Sequence, residues 1–226
     1  ADLMDKKNTQ GNIIFSRENL CRPITNEASI FPMEILMRSV IGMDKYTLVR
    51  NRDDFPIKFN KVVVGCDFAI SANVGSDYTV FSVWGIDDSG ERWLLYMYRE
   101  KGKKFYEQMQ VLKGLNVRFR PDTMILEQNT FQQIFVEESD RQGLPVVGHT
   151  TGIDKYDLKT GWPGLAIDFE RGKIHIPTGD KHSQDMKDLI FSDLGSVAFT
   201  DHGLASVGEH DDISSSFWLA KLGANL

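Results

Sequence analysis

The chain has 226 residues, of which 41% are hydrophobic, 26% charged and 11% aromatic, and its formal net charge is −6 at pH 7. This composition is typical of a globular chain that is long enough for one sizeable core. No apolar run approaches the roughly 20 residues that a membrane-spanning helix needs. The N-terminal segment also lacks the apolar region of a secretory signal, and the absence of an initial Met suggests an excised fragment or a processed chain.

The charge and the cysteines restrict the partners and the compartment. A net charge of −6 argues mildly against a nucleic-acid partner, because proteins that bind nucleic acids usually have a basic face. The objection weakens if several carboxylates gather in one metal site, because bound divalent ions reverse the local field. Cys21 and Cys66 lie far apart and show no CxxC or Cys/His zinc spacing, which fits a reducing, intracellular setting.

The predicted elements begin with a polar lead-in over residues 1–30, a helix over 31–40 and a surface connection to residue 60. A buried strand is predicted over residues 62–66, because this run is apolar, rich in β-branched residues and bounded by turn formers. The run stops at Asp67. After a loop of small residues, a second strand is predicted, antiparallel to the first.

The remainder of the chain alternates strands and helices. Strands are predicted over residues 91–100, 123–127, 145–148 and 174–176, a hairpin over 197–207, and helices over 103–119, 131–142, 180–194 and 211–222. Residues 155–171 are predicted to be helical at least in their second half. This order predicts an α/β fold with a mixed central sheet, an antiparallel meander plus parallel strands, flanked by helices. We expect an inter-domain segment with one helix over residues 1–60 and one domain over residues 61–226.

Carboxylates stand at the ends of two predicted strands and at the start of the last helix. Asp67 ends the first core strand, Glu127 ends the strand at 123–127, and Asp211 and Asp212 open the helix. A charge at the end of a buried strand is costly unless it is paired or binds a metal. Sites in mixed α/β sheets form at the carboxyl ends of neighbouring strands, so parallel neighbours would bring Asp67 and Glu127 together.

These carboxylates predict a metal centre. Clustered anions repel one another unless a cation is bound, and hard oxygen ligands favour Mg²⁺ or Mn²⁺. Two such ions roughly 3.5–4 Å apart catalyse in-line phosphodiester hydrolysis, one by activating water and the other by stabilising the leaving oxygen. We predict Asp67, Glu127, Asp211 and Asp212 as catalytic metal ligands, and leave open which of Asp211 and Asp212 contacts the ions.

Each predicted ligand also has an ordinary structural interpretation. Asp67 could form a turn, and Glu127 could cap the helix that follows it. Asp211 and Asp212 could be charges that complement the helix dipole.

Three further residues are possible accessories to the site. Asp77 starts the second strand, His210 precedes the acidic pair, and Lys155 could contact a phosphate. A solvated hairpin residue, a structural histidine and a loop lysine are the respective alternatives.

The chain has no GxxxxGK[ST], GxGxxG or GxSxG motif, so it carries no visible nucleotide-binding loop or nucleophile elbow.

The segments GCDFA, GSDYTVFSVW, MILEQN and GEHDDISSSFWLA together resemble the nuclease domain of the large terminase subunit of tailed bacteriophages. The resemblance runs from about residue 61 to the C-terminus. It implies a ribonuclease-H-like fold, with Asp67 as the bridging aspartate, Glu127 as the second carboxylate and Asp211, Asp212 or both as the third.

The resemblance also implies a function. The domain would be a divalent-metal-dependent endonuclease that cuts concatemeric viral double-stranded DNA during genome packaging. Its partners would be DNA, the packaging ATPase domain of the same polypeptide, the terminase small subunit and the portal, in the host cytoplasm and without a membrane. The hairpin at residues 197–207 and the loop around Lys155 would grip DNA or regulate cutting.

Three alternatives remain. A Holliday-junction resolvase or a transposase-like nuclease would use the same carboxylates on another substrate. An actin-like phosphotransferase would need a second phosphate-binding hairpin, which the sequence lacks. A non-catalytic DNA-binding module is disfavoured by the acidic balance, because nothing would offset the repulsion of DNA phosphates.

Overall fold

The three-dimensional structure is a computed structural model. It describes residues 29–69, 78–127, 133–150, 152–208 and 210–226, with the side chains of residues 133, 153 and 154 left out. The helices are α1 (Met33–Arg38), α2 (Phe105–Phe119), α3 (Gln133–Arg141), α4 (Trp162–Glu170), α5 (Lys181–Gly195) and α6 (Asp212–Ala224). The strands are β1 (Lys61–Asp67), β2 (Thr79–Ile86), β3 (Arg92–Glu100), β4 (Thr123–Glu127), β5 (Val146–His149), β6 (Ile174–His175), β7 (Val197–Thr200) and β8 (Gly203–Ser206).

The main sheet has six strands in the order β5-β4-β1-β2-β3-β6. Strands β1, β2 and β3 form an antiparallel meander, whereas β4 runs parallel to β1 and β5 runs parallel to β4. The predicted mixed α/β sheet flanked by helices is confirmed. Because β1, β4 and β5 run in the same direction, their carboxyl ends lie at one edge of the sheet, which we call the active edge.

Helices cover both faces of this sheet. Side chains alternate between the faces of a strand, so Val62 and Val64 of β1 pack with α2 while Val63 packs with α6. Leu112 and Leu115 of α2 are fully buried on the first face, and Phe217 and Trp218 of α6 are buried on the second. The second face, called the α6 face below, is the one that the predicted ligands share.

The segment before β1 contributes to both cores. Ile30, Phe31 and Leu36 are buried on the α6 face, and Phe55 and Phe59 are buried on the face of α2. The predicted domain boundary at residue 60 stays a prediction. The buried contacts of residues 30–59 are nevertheless a physical reason to keep this segment when the domain is produced.

The segment around residues 153–170 refines the sequence prediction. The predicted helix in the second half of residues 155–171 is α4, and a separate 3₁₀ turn at Ile153–Tyr156 precedes it. The cause is Asp157, whose Oδ1 accepts hydrogen bonds from the backbone N–H groups of Lys159 (2.9 Å) and Thr160 (2.8 Å) and so stabilises a turn.

The predicted hairpin is confirmed as β7 and β8. Among the described residues, no helix combines the length and the apolar character needed to cross a membrane.

Helix α6 packs very closely on the sheet where it crosses β1. A Cβ added to Gly65 would lie 1.9 Å from the carbonyl oxygen of Ser216 and 2.6 Å from the backbone nitrogen of Ala220. The Ser216 hydroxyl donates to the Gly65 carbonyl (2.9 Å) and accepts from the N–H of Ser82 (3.1 Å). Only glycine permits this contact, and the run of small residues on α6 makes it possible from the other side.

We expect Gly65→Ala to destabilise the fold by about 3 kcal/mol, because a methyl group there meets rigid backbone atoms of α6. Chemical denaturation followed by circular dichroism measures this change.

Gly114→Ala is the matched control, since a Cβ at this position in α2 has nothing within 4 Å. We expect it to be neutral or to stabilise by up to about 1 kcal/mol, because alanine favours a helix interior. Equal effects of the two substitutions would contradict the close-packing interpretation.

Candidate metal centre

Asp67 and Glu127 lie side by side at the active edge. Strands β1 and β4 are parallel, with Cys66 opposite Leu126. Asp67 follows Cys66 in β1 and Glu127 follows Leu126 in β4, so these two residues are neighbours. Both residues occupy the positions whose side chains alternate onto the α6 face, together with Gly65 and Ile125. The sequence-based expectation that the two strands are parallel neighbours is therefore confirmed by the sheet register.

The start of α6 brings two more carboxylates to this edge. The buried carboxylate of Asp193, on α5, accepts hydrogen bonds from the N–H groups of Ile213 (3.2 Å) and Ser214 (2.9 Å) and from the Ser214 hydroxyl. These are N–H groups of the first turn of α6, so Asp193 performs the capping that a helix start requires. Asp211, at the N-cap position, makes no side-chain capping bond. The first turn of α6 therefore does not depend on the Asp211 carboxylate for its capping.

Asp212 is held inside the site. Its side chain is buried, with 4% of the residue exposed, and its Oδ2 accepts a hydrogen bond from the N–H of Tyr78 (3.2 Å). The Nδ1 atom of His210 lies 3.8 Å from the same oxygen. The bond to Tyr78 ties the start of α6 to the start of β2, which is next to Asp67 because Val80 pairs with Asp67.

The carboxylates act on one another electrostatically. Burial raises the pKa of Asp67 well above its ordinary value, and the nearby charges of Asp212, Glu127 and Asp211 raise it further, against a lowering by Lys155. All four predicted ligands are therefore close enough to form one electrostatic unit. A bound cation could offset this shared charge.

Lys155 is a cation in direct contact with one of these carboxylates. Its ammonium group lies 3.1 Å from Asp211 Oδ2 and 2.9 Å from the Ser215 hydroxyl, and it sits 4.4 Å from the ring centroid of Trp162. Only 13% of the lysine side chain is exposed. The side chain is thus a built-in part of the site, and not a solvated loop lysine, one of the two sequence-based interpretations.

The residues fit a divalent cation by donor type and charge. Four carboxylates supply only hard oxygen ligands, and such sets favour Mg²⁺ or Mn²⁺. Within the described ranges, no three His, Cys, Asp or Glu side chains are already gathered around one point. This spread arrangement agrees with mutual repulsion, and with Lys155 drawing Asp211 to itself.

The structure also places residues that the sequence prediction did not assign. His149 ends β5 directly opposite Glu127, and its ring lies 5.4 Å from that of Trp218. Asp193 has no assigned role in the sequence-based prediction. His149 follows from extending the parallel-strand alignment by one more strand, whereas no local signal identifies Asp193, since its partners lie 20 residues further along the chain.

Asp77 lies outside the described residues, as do residues 128–132, so the alternative of Glu127 as a helix cap stays open. His210 and Lys155 are both brought to the active edge.

Comparisons with known proteins give a structural likeness only. No protein-family model matches the chain. No curated protein matches it.

Solved structures of large terminase nucleases do match. The large terminase nuclease of the thermophilic phage G20c, with bound magnesium, has a TM-score of 0.65 at 22% identity, over 88% of this chain and 98% of that one. The nuclease domain of the large terminase subunit gp2 of bacterial virus Sf6 has a TM-score of 0.58 at 9% identity, over 85% and 98%. The G20c nuclease has also been solved with cobalt and with zinc, and the Sf6 domain with manganese.

The chain therefore has the ribonuclease-H-like fold of large terminase nuclease domains. At 9% to 22% identity, the likeness defines the fold, and the chemistry has to be argued from the residues of this chain.

We expect Asp67→Asn to stabilise the metal-free protein at pH 8. The native state holds the Asp67 proton to a higher pH than the unfolded chain does, so the free energy of unfolding falls as pH rises through the raised pKa. The substitution removes this loss, and the gain should shrink towards pH 4. Urea denaturation in EDTA at several pH values measures it.

Asp157→Asn is the control with the opposite sign. Hydrogen bonds from Thr160 and Lys159 lower the pKa of Asp157, so its contribution is present at neutral pH and lost as pH falls. Asp157→Asn should therefore lower the free energy of unfolding at pH 8. If Asp67→Asn lowers it as well, the interpretation that the carboxylates around Asp67 repel one another is wrong.

We expect Lys155→Met to tighten Mn²⁺ binding about fivefold at pH 8, because the ammonium group competes with a metal for Asp211. Titration calorimetry measures the affinity, with exposed Lys159→Met as the control. Weaker binding in Lys155→Met than in Lys159→Met would contradict this competition.

Proposed function

We propose that this chain is a metal-dependent endonuclease that cuts double-stranded DNA. The observation that carries the proposal is the position of Asp67, Glu127, Asp211 and Asp212 at one edge of a ribonuclease-H-like sheet. The fold is shared with the G20c and Sf6 large terminase nucleases, which supports nuclease chemistry at this edge.

Asp67, Glu127 and Asp212 would hold the metal, with Asp211 as a further ligand. Bound Mg²⁺ or Mn²⁺, in one or two sites, supplies an activated water and positive charge for the leaving oxygen. The bond from Tyr78 and the burial of Asp212 fix this carboxylate before the substrate arrives. Such preorganisation lowers the cost of orienting the reacting groups.

Lys155 would exchange partners when a phosphate enters. In the metal-free structure, its ammonium group binds Asp211 and Ser215. Metal binding to Asp211 would free this ammonium group for a phosphate oxygen of the substrate, and a lysine is a suitable donor for that contact. The π-face of Trp162 keeps the lysine at the active edge during the exchange.

Within this proposal, the substrate is concatemeric viral DNA and the process is genome packaging. The packaging ATPase of the same polypeptide, the small subunit and the portal are the proposed partners, and the host cytoplasm is the proposed compartment. The resemblance of the segments around the four carboxylates to terminase nucleases supports this part.

We expect the chain to nick and linearise plasmid DNA with Mn²⁺ or Mg²⁺ and not with EDTA. Asp67→Asn, Glu127→Gln and Asp212→Asn should each lower the rate by at least about a hundredfold, because each removes a metal ligand. Gel analysis of supercoiled plasmid against time measures the rate.

Asp180→Asn is the matched control, because it removes one exposed charge at the start of α5 and asparagine also caps helices. Its cleavage rate should equal that of the unaltered chain. Metal-independent cutting, or equal cutting by the Asp67→Asn variant, would refute a carboxylate–metal nuclease.

A further inference from the structure

We propose that Tyr78, Arg99 and Lys101 form a binding site for a backbone phosphate of the DNA, close to the bond that is cut. We call these three residues the cationic patch. The inference deepens the proposed function, on which it rests, and it concerns residues that neither the sequence prediction nor the fold likeness assigns.

The cationic patch belongs to the same row of residues as the metal ligands. Asp67 of β1 pairs with Val80 of β2, and Val80 pairs with Arg99 of β3. Paired residues project onto the same face of a sheet, so the side chain of Arg99 lies on the α6 face with that of Asp67. Tyr78 and Lys101 stand two residues from Val80 and Arg99, at the active edge and on the same face.

The spacing suits one strand of DNA. Two strand intervals separate β1 from β3, which places the backbones of Asp67 and Arg99 about 10 Å apart. Each DNA strand carries one phosphate per roughly 3.4 Å of helix axis. Because the strand also winds around this axis, its phosphates lie further apart in space than this rise, so a phosphate close to the reacting one can lie over the cationic patch.

Arg99 is held in position by an aromatic ring. Its guanidinium carbon lies 3.2 Å from the ring centroid of Tyr78, and the ammonium of Lys101 lies 4.4 Å from the same centroid. Stacking on one face fixes the plane of the guanidinium and leaves its N–H edge available for a bidentate acceptor. A phosphate provides two oxygens at the required spacing.

Arg99 also lacks an anionic partner in the described part of the chain. Its side chain is half-buried, and its buried Nε atom makes no hydrogen bond there. Half-burial of a cation without an anion is unfavourable, so an entering phosphate would supply the missing charge.

Three other basic side chains are paired with carboxylates. Lys103 lies 2.9 Å from Glu100, Arg120 lies 2.5 Å from Asp53, and Arg92 lies 2.5 Å from Asp168. Arg99, in contrast, has no carboxylate partner among the described residues and is free to bind an external anion. Lys101 further connects the patch to the metal centre, because its ammonium lies 3.3 Å from Nε2 of His210, which precedes Asp211.

The competing role is electrostatic compensation. Arg99 and Lys101 could serve only to offset the negative charge of the four carboxylates. In that case Arg99→Ala would tighten Mn²⁺ binding and leave the interaction with DNA unchanged. If Arg99 binds a phosphate, Arg99→Ala weakens the binding of DNA. Measuring DNA binding by the variants therefore distinguishes the two roles.

The test measures binding of a fluorescein-labelled 30-base-pair duplex by anisotropy, in Mg²⁺ at several salt concentrations, with Asp67→Asn present in every variant to prevent cleavage. Adding Arg99→Ala should weaken binding about tenfold and reduce the slope of log Kd against log salt by about 1, the value for one lost phosphate contact. Arg99→Lys should keep most of the slope and lose part of the affinity.

Arg118→Ala is the matched control. Arg118 also stacks on a tyrosine, with its guanidinium carbon 4.8 Å from the ring centroid of Tyr96, but it lies on α2, on the other face of the sheet. It removes the same charge and should leave the salt slope unchanged.

Equal slopes in Arg99→Ala and in its parent would overturn the cationic patch, and so would equal losses in Arg99→Ala and Arg118→Ala. These results would leave metal-dependent cleavage by the unaltered chain intact, so the proposed function would survive. A chain that binds Mn²⁺ but shows no affinity for the duplex would overturn both.

Discussion

The contact between Gly65 and α6 is the constraint on which the site depends. The backbone of α6 lies directly on β1, where a single methyl group would overlap the carbonyl of Ser216. The same contact brings the start of α6 to the end of β1, two residues beyond Gly65. Asp212 then reaches the N–H of Tyr78, and the four carboxylates act as one electrostatic unit around Asp67.

This arrangement sets stability against function. Burial and neighbouring charges raise the pKa of Asp67, so the ionised, metal-free site opposes folding at neutral pH. Lys155 relieves part of this repulsion through its ion pair with Asp211. Asp193 caps the start of α6, and the side chain of Asp211 makes no capping bond. The carboxylate of Asp211 is therefore not needed for the structure of the helix start. A bound cation would offset the remaining repulsion, and its binding would then be coupled to folding.

Much of the fold could be predicted from the chain, because its signals are local. The apolar runs that end in Asp67 and Glu127 predict strands, and the confirmed parallel register of β1 and β4 places these residues together. The cap by Asp193 and the stack of Arg99 on Tyr78 could not be predicted, because each joins segments about 20 residues apart with no pattern of their own. The metal ligands themselves stay a prediction, supported by charge and position.

A direct test of the metal centre is to locate Mn²⁺ in crystals of the chain by its anomalous scattering. We expect a peak bounded by the carboxylates of Asp67, Glu127 and Asp212, with the ammonium of Lys155 moved away from Asp211. Its ligands should be oxygens alone, as hard cations require. A peak elsewhere, or none at these carboxylates with Mn²⁺ in excess, would contradict the central claim that the active edge is a metal site.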